Sequence, residues 1–423
     1  MRTQREAMHK HFCTIVGTMA TIALMLASAA APAQVSSFEE IAKAAMSTHP
    51  SVRAKLSSSV AARADREGAE WQRYPTPSVE MNNDNNNTRT SLLRVQQPLW
   101  AGGRIDAGID AAQSRQQAAE SAILETKQEI MLRVIGAYIE ALRQQERQEA
   151  MIQGVEQHER LLGMITRRVE REASPRVDQD LAQSRLYQTS NDLSSVNQAL
   201  ANALTQLSQL SGMTVRKVSA LGADSLPGQQ SKDALLEQAI AWSPTLRRLA
   251  FEEEAAQADV ELKRASYKPQ VSLRFENARA SAPLNGIPAY TTNRVLLVFE
   301  AQTGAGLSAV SGVDAAIARR DAAREQREAA LRDLRERIGM DWDELLAARL
   351  RLENATLARK MAKEVFESYA RQYTAGRKTW LDVLNTIRES TQSDVAATDA
   401  ATQAAGASLR LQLASGNLKG ISE

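Results

Sequence analysis

Residues 90–112 read TSLLRVQQPLWAGGRIDAGIDAA, and this stretch decides the fold. In its first part Leu93 and Val95 alternate with polar residues, which predicts a strand with one apolar and one polar face. Beyond this strand no proline occurs before Pro175. Residues 104–171 are therefore predicted to form one helix of roughly 100 Å, at about 1.5 Å per residue.

The same pattern occurs twice along the chain. Pro50-Ser-Val-Arg recurs as Pro244-Thr-Leu-Arg at an offset of 194, and Asp110-Ala-Ala recurs as Asp314-Ala-Ala at an offset of 204. A single ten-residue insertion near residues 279–292 would account for both offsets. The sequence therefore predicts a tandem duplication, in which each half contains a helix, a β-hairpin, a very long helix, a sharp turn and a further helix.

The organisation follows from this pattern. Residues 38–73 are predicted to be helical, and small or apolar residues at 4-3 spacing from Ala182 to Leu210 predict a coiled-coil seam, with an Ala-rich counterpart from Ala397 to Ala414. The predicted segments are a signal peptide (1–33), a first repeat (34–212; strands about 76–100, coiled-coil hairpin about 104–211), a linker (213–235), a second repeat (236–416; strands about 270–303, coiled-coil hairpin about 308–415) and a tail (417–423).

Composition excludes several classes of protein. Gly and Pro number only 20 and 11, and the chain contains 18 aromatic residues, which favours long, closely packed helices over an all-β enzyme or a disordered chain. Residues 1–33 have the basic start, apolar stretch and small-residue cleavage site of a signal peptide, although a membrane anchor is the alternative. Without them the chain has 49 basic and 49 acidic residues, so nothing in its charge favours nucleic acid.

Few residues after this segment suit catalysis or metal binding. The single cysteine, Cys13, precedes the apolar stretch, so a lipid-modified cysteine is not expected. The two remaining histidines, His49 and His158, are far apart, which argues against a Cys/His metal cluster or a Ser/His/Asp triad. We expect both histidines to be solvated or packing residues, and we expect no enzyme activity, cofactor or bound metal.

The four predicted strands suit a membrane only if they are shared between copies. Each is about long enough to cross a bilayer as a tilted strand, but an open strand edge in lipid is prohibitively unfavourable. Four strands cannot close a barrel, whereas two copies would supply eight strands and three would supply twelve. The strand ends nearest the helices carry aromatic residues suited to a membrane interface: Trp71, Tyr74, Trp100 and Tyr267. A small soluble hairpin is the alternative.

The segment from Tyr373 to Asn385, YTAGRKTWLDVLN, resembles the periplasmic-tip motif of the TolC family of outer-membrane export ducts. Val177-Asp178 in the first half resembles its counterpart, and the similarity extends over about residues 38–416. It implies a mainly α protein with a small β part in the outer membrane of a Gram-negative bacterium. Three copies would form a 12-stranded β-barrel and a long periplasmic α-helical barrel, working with a periplasmic adaptor, an inner-membrane transporter and outer-membrane lipid.

The resemblance also assigns roles at the tip. Tyr373, Lys378 and Asp178 match positions that tie the inner helix pair to its neighbours, and Asp382 matches a carboxylate ring at the closed entrance. Three such carboxylates would bind cations and raise one another's pKa. Asn385 stands where a second acidic ring may occur in the family, Lys378 where arginine is familiar, and Glu172 where glycine is common. Gly376 and Glu172 mark the two tip turns.

Three functions remain open from the sequence. The first is the duct of a type I secretion system, which passes an unfolded polypeptide such as a large adhesin from an ABC transporter. The lack of a lipid-modified cysteine and the segment Thr303–Ser308 favour it. The second is the duct of a tripartite small-molecule efflux pump. The third is a periplasmic coiled-coil scaffold without a pore.

Overall fold

The computed structural model describes residues 35–83, 89–221, 231–281, 289–301 and 308–418. The predicted signal peptide, the segment 302–307 and the last five residues lie outside these ranges. The first half contains β1 (Val35–Ser36), α1 (Phe38–Thr48), α2 (Pro50–Trp71), β2 (Thr76–Asn83), β3 (Arg89–Trp100), α3 (Arg104–Glu170) and α4 (Arg176–Ser211). The second contains β4 (Lys217–Val218), α5 (Lys232–Trp242), α6 (Pro244–Ser266), β5 (Gln270–Ala280), β6 (Tyr290–Glu300), α7 (Ser308–Thr374) and α8 (Trp380–Ala414).

The two halves repeat the same elements. Helices α3 and α7 both contain 67 residues and begin at Arg104 and Ser308, the predicted offset of 204. The insertion differs from the prediction, because it is divided. The offset is 194 between the starts of β2 and β5, 200 between Trp100 and Glu300, and 204 only from the long helices onward. The extra residues therefore lie partly between the second pair of strands and partly between β6 and α7.

The predicted helix over residues 38–73 is two helices. The break occurs at His49, which has a ψ of 129° and both ends α1 and begins α2. Pro50 explains the break, since it lacks an N–H and disfavours the helical conformation in the residue before it. The imidazole Nδ1 of His49 accepts a hydrogen bond from the backbone N–H of Ser51 at 3.2 Å, so this histidine caps α2.

The linker contains a strand that the sequence analysis missed. β4 pairs in parallel with β1, at the start of the described chain, and Tyr138 of α3 secures the pair. The Tyr138 hydroxyl donates to the carbonyl oxygen of Ser219 at 2.7 Å, and its ring packs edge-on against Phe38 at 5.3 Å. Two-residue strands carry too little periodicity to be recognised from sequence. This region lies on the largest buried apolar cluster of the molecule, formed mainly by α1, α3, α4 and the end of α8.

The predicted seams lie at helix interfaces. In α8 the small residues of the seam are all buried: Ala397, Ala400, Ala404, Ala407, Leu411 and Ala414. In α4 the two ends of the seam are buried at Ala182, Leu207 and Leu210, while its middle is half-buried. Small buried side chains let helices approach closely. Helix α3 packs against α2, α4, α6 and α8, so the first long helix lies at the centre of the chain.

The four long strands form one antiparallel sheet in the order β2-β3-β5-β6. Thr76, Trp100, Gln270 and Glu300 lie at the end nearest the helices, and the hairpin turns lie at the other end. In the described ranges no helix is both long and apolar enough to cross a membrane. The architecture, mainly helical with a small sheet and two tandem repeats, confirms the predicted fold class.

Candidate functional site: the sheet and the helical tip

One face of the sheet is apolar and open to the surroundings. Along this face the strands present every second side chain, as their alternation predicts. Phe299 is 70% exposed and Val295 is 68% exposed. The other large apolar side chains of the face include Val79, Met81, Leu93, Val95, Val271, Leu273, Phe275 and Leu297. Such a surface is stable only when lipid or protein covers it.

The opposite face is polar and internally bonded. Arg94, Glu276 and Arg294 occupy one register row across three strands, and the carboxylate of Glu276 accepts from both guanidinium groups at 3.2 Å. Gln96 extends the network, since its amide donates to the hydroxyl of Ser272 at 3.1 Å. The carboxylate of Glu276 is almost fully shielded by its two partners, so this face is built to hold charge without an apolar cover.

Both edges of the sheet are open within one chain. β2 pairs only with β3, and β6 pairs only with β5, among the strands that the structure describes. Each edge strand therefore presents a row of backbone N–H and C=O groups without a sheet partner, which strongly favours pairing with another chain.

The four predicted interfacial aromatics lie together at the helix end of the sheet. Trp71 ends α2, Tyr74 precedes β2, Trp100 ends β3 and Tyr267 ends α6. All four are exposed, and the rings of Trp71 and Tyr74 contact each other at 5.2 Å. Their location agrees with the predicted belt, and their contact with a bilayer remains a proposal.

The two tip turns are equivalent in detail. Glu172 (φ 57°) and Gly376 (φ 73°) both adopt the left-handed conformation at positions related by the offset of 204. Each N–H donates to the carbonyl three residues earlier, at 2.9 Å in both turns. Glycine adopts this conformation without cost, whereas a glutamate is strained by about 1 kcal/mol or more. Glu172 is thus the atypical residue that the sequence predicts.

The two hairpins meet at the tip in a small apolar cluster. Leu161 and Ile165 of α3 pack there against Val383 and Ile387 of α8. Tyr373 is also buried in it, and the guanidinium of Arg168 lies over its ring at 5.3 Å. The hydroxyl of Tyr373 is buried and has no hydrogen-bond partner in the described part of the chain.

The other predicted gate residues are not brought into one contact. The ammonium of Lys378 lies over the ring of Tyr369, 4.3 Å from its centre, instead of reaching Tyr373. Asp178 is half-buried in the first turn of α4, and it makes no ion pair among the described residues. Asn385 is exposed one turn after Asp382. Within one chain, Lys378 and Asp178 therefore do not tie the hairpins to each other, whereas Tyr373 joins them through the apolar cluster and Arg168. Contacts between copies remain a proposal.

Asp382 has a structural role besides its charge. It forms a capping box with Thr379, whose hydroxyl and backbone N–H both donate to one carboxylate oxygen, at 2.8 and 3.1 Å. The backbone N–H of Asp382 in turn donates to the hydroxyl of Thr379. These bonds, with a smaller contribution from Lys378, hold the pKa of Asp382 below its ordinary value. Within one chain this is the reverse of the rise expected for a carboxylate ring.

Sequence reasoning did not locate two features between the hairpins, an ion pair and a buried histidine. The guanidinium of Arg147 in α3 makes a two-pronged ion pair with the carboxylate of Asp399 in α8. Nearer the tip, His158 is only 6% exposed and its Nδ1 atom has no described hydrogen-bond partner. Burial, and then the charge of Arg185, lower the pKa of His158. Only the positions of α3 and α8 relative to each other reveal these contacts, because the residues are far apart in sequence.

Comparison with known proteins identifies the type of molecule. The family described as outer membrane efflux protein matches residues 26–213 and 235–417, nearly both halves in full. The cobalt-zinc-cadmium resistance protein CzcC of Cupriavidus metallidurans is 23% identical over 330 residues, which cover 74% of each chain. Among solved structures, a membrane protein from Pseudomonas aeruginosa matches with a TM-score of 0.78 and 19% identity, covering 90% of this chain and 93% of its own. The outer membrane protein VceC of Vibrio cholerae matches with a TM-score of 0.77 and 17% identity, covering 90% and 96%.

These matches bear directly on the sequence predictions. They confirm the resemblance to the TolC family and the location in the outer membrane. Channels of this kind are transport ducts, not enzymes, and they are trimers that work with a periplasmic adaptor and inner-membrane pump components. Because the family match covers most of both repeats, the chain belongs to the outer membrane efflux protein family.

Proposed function

We propose that three copies of the chain form the outer-membrane duct of a tripartite efflux pump whose cargo is divalent metal cations. The two-faced sheet with both edges open is the observation that carries this proposal. Its apolar face suits lipid, its polar face suits water, and a spanning sheet in lipid must close on itself. Twelve strands from three copies would close it, with β6 of each copy beside β2 of the next.

The helices supply the part of the duct that crosses the periplasm. At about 1.5 Å per residue, α3 and α7 each extend roughly 100 Å from the sheet to the tip turns. Helices α4 and α8 return along them, so each chain contributes two helical hairpins to the wall. The tip turns, the cluster around Tyr373 and Asp382 would then lie at the periplasmic entrance, where an adaptor and an inner-membrane pump engage.

The choice of metal cations rests on relatives and on charge. CzcC is named for resistance to cobalt, zinc and cadmium, and it aligns with three quarters of this chain. The polar face of the sheet carries three arginines and three glutamates, so it does not exclude cations by net charge. Three copies of Asp382 around the entrance would attract cations. Export by such a duct needs no metal site of its own, since the pump selects the cargo.

Type I secretion, the function favoured by the sequence analysis, has less support. Of its two arguments, the segment Thr303–Ser308 lies almost entirely outside the described residues, which leaves the absence of a lipid-modified cysteine. None of the relatives named above is described as a secretion component. The relatives instead favour efflux of metals or of organic compounds.

A susceptibility test separates these cargoes. The gene would be deleted, and growth measured in cobalt, zinc and cadmium salts and in toxic organic compounds, alongside the set of secreted proteins. We expect sensitivity to the metal salts, and rescue by the wild-type gene. Sensitivity to organic compounds alone would change the cargo to small organic molecules, and loss of a secreted polypeptide with unchanged metal tolerance would restore the secretion hypothesis.

A further inference from the structure

The two rims of the apolar face differ in chemistry. The rim nearest the helices carries the aromatic residues described above, whereas the far rim carries arginine. In the described strands, the apolar face contains two charged side chains, Arg89 of β3 and Arg279 of β5. Both are exposed, and no ion pair engages either of them in the described ranges.

The register brings these two arginines close together. Arg279 lies opposite Ser91, and Arg89 is the next outward residue of the same face on β3. Diagonal neighbours of this kind are about 7–8 Å apart, so two guanidinium groups can reach one anion. Both residues line an open cavity of about 570 Å³ at the end of the sheet, together with the hydroxyl residues Ser91 and Thr291.

Among the residues of the described strands, no acidic side chain neutralises this pair from the same face. The glutamates of the strands, Glu80, Glu276 and Glu300, all lie on the polar face. Directly below the arginines, the amides of Asn277 and Asn293 are hydrogen-bonded to each other, and the apolar side chains of Phe275 and Val295 follow. The arginines therefore lie just beyond the apolar band, at the height of lipid headgroups.

We propose that Arg89 and Arg279 form a binding site for a phosphate group of the glycolipid in the outer leaflet of the outer membrane. This inference rests on the proposed duct, since it requires the hairpin ends to face outward. Arginine is suited to phosphate because its planar group donates two parallel hydrogen bonds to two oxygens. The headgroup phosphate would bind the guanidinium pair, while the acyl chains would cover the apolar face.

The test measures lipid bound to the purified trimer. Wild type, the double variant Arg89→Gln/Arg279→Gln and the control Arg63→Gln would be extracted in mild detergent, and the retained glycolipid measured by native mass spectrometry. Arg63 is an exposed arginine of α2, far from the rim. We expect the double variant to retain at least about tenfold less glycolipid than the control, because two charge-assisted contacts are lost. A double variant Arg89→Lys/Arg279→Lys should recover part of the binding.

A second measurement identifies the ligand. Thermal stabilisation of the delipidated trimer would be compared with glycolipid-containing vesicles, phosphatidylglycerol vesicles and inorganic phosphate. We expect stabilisation that depends on the arginines only with glycolipid. Equal retention by the double variant and the control, or equal stabilisation by inorganic phosphate, would overturn the site while leaving a trimeric duct intact. Protein that never forms trimers would contradict the duct itself.

Discussion

The two long helices have equal lengths but very different surroundings. Helix α3 has 21 buried residues, whereas α7 has six. Helix α3 packs against α2, α4, α6 and α8, while α7 packs against α5, α6 and α8 and leaves one side open. That open side carries a narrow stripe of exposed apolar residues at Leu346, Leu350, Leu357 and Met361.

This difference indicates where a second copy must pack. Duplication gives two helices of equal length, but within one chain only α3 is surrounded by other helices. The residues of α3 equivalent to Leu350, Leu357 and Met361 are Glu146, Gln153 and Gln157, so the exposed apolar stripe belongs to α7 alone. We infer that α7 contacts the neighbouring copy in the wall of the duct.

The largest expected effect comes from placing charged residues in this apolar stripe. Leu350→Glu/Leu357→Glu should abolish trimer formation, because it places charges in an apolar interface where they have no partner. Sedimentation of the purified protein would measure the assembly. The control is Gln153→Glu, at the position of α3 equivalent to Leu357, and it should remain trimeric. Trimers of normal stability in the double variant would show that this face of α7 is not an interface.

A substitution in the packed middle of α7 should instead destabilise the chain itself. Ile338 is buried with Leu345 and Leu411, and Ile338→Ala should lower the free energy of unfolding by about 3 kcal/mol. Leu350→Ala, on the exposed stripe, should change the unfolding of dissociated chains by less than about 0.5 kcal/mol. Denaturant titration of both variants would check this contrast, and equal losses would contradict the assigned environments.

Two substitutions separate the charge of Asp382 from its role in the helix cap. Asp382→Ala removes both the charge and the carboxylate half of the capping box. Asp382→Asn removes the charge but retains an oxygen that accepts from Thr379. If the carboxylate controls the entrance, both variants should lose block by divalent cations in single-channel recordings. Loss in the alanine variant alone would assign the effect to the cap, and unchanged conductance and block in both would exclude Asp382 from the gate.

His158 should make stability depend on pH. Its pKa is lower in the folded chain than in the unfolded chain, so the unfolded state binds more protons as the pH falls through about 6.5. The free energy of unfolding therefore decreases as the pH falls. Arg185 and Asp192 of α4 and Arg388 of α8 line its surroundings, and protonation would add a charge beside the two arginines. We expect the free energy of unfolding to decrease between pH 7.5 and 5.5. His158→Gln should remove this dependence, and a pH profile of the variant equal to that of the wild type would contradict this assignment.

The smallest effect compares the two tip turns. Glu172→Gly should stabilise the first turn by up to about 1 kcal/mol, because glycine relieves the left-handed strain. Gly376→Ala should destabilise the second turn by a similar amount. Hydrogen exchange of the turn amides would measure both changes locally. A destabilising Glu172→Gly would mean that the glutamate side chain makes a contact that offsets the strain.

Much of this fold follows from the sequence, because long periodic patterns carry strong signals. The alternation around Leu93 and Leu273, the small seam residues of α8 and the offset of 204 predict the strands, the packed hairpins and the duplication. The division of the insertion between two places was not predicted, and neither was the β1–β4 pair. Segments this short contain too few residues to show a periodic pattern of apolar side chains. The helix break at His49 was signalled by Pro50 but was not recognised.

The site divides in the same way. The tip turns follow from local sequence, and the structure places Glu172 and Gly376 in equivalent conformations. The contacts of Lys378 with Tyr369 and of Tyr373 with Arg168 could not be predicted, because only the fold brings these side chains together. The capping role of Asp382 was visible as Thr379 three residues earlier, a standard helix-start pattern.

Closure of the sheet by neighbouring copies is the central claim, and cysteine cross-linking between β2 and β6 tests it most directly. The only cysteine lies in the predicted signal peptide, so E80C can be combined in turn with T292C, R294C or L296C. Within one chain these strands are separated by β3 and β5, three spacings of about 4.8 Å, which is too far for a disulfide. We predict a covalent trimer for at least one pair. Monomers in all three pairs, from protein that is inserted in the membrane, would contradict a barrel closed by β2 and β6.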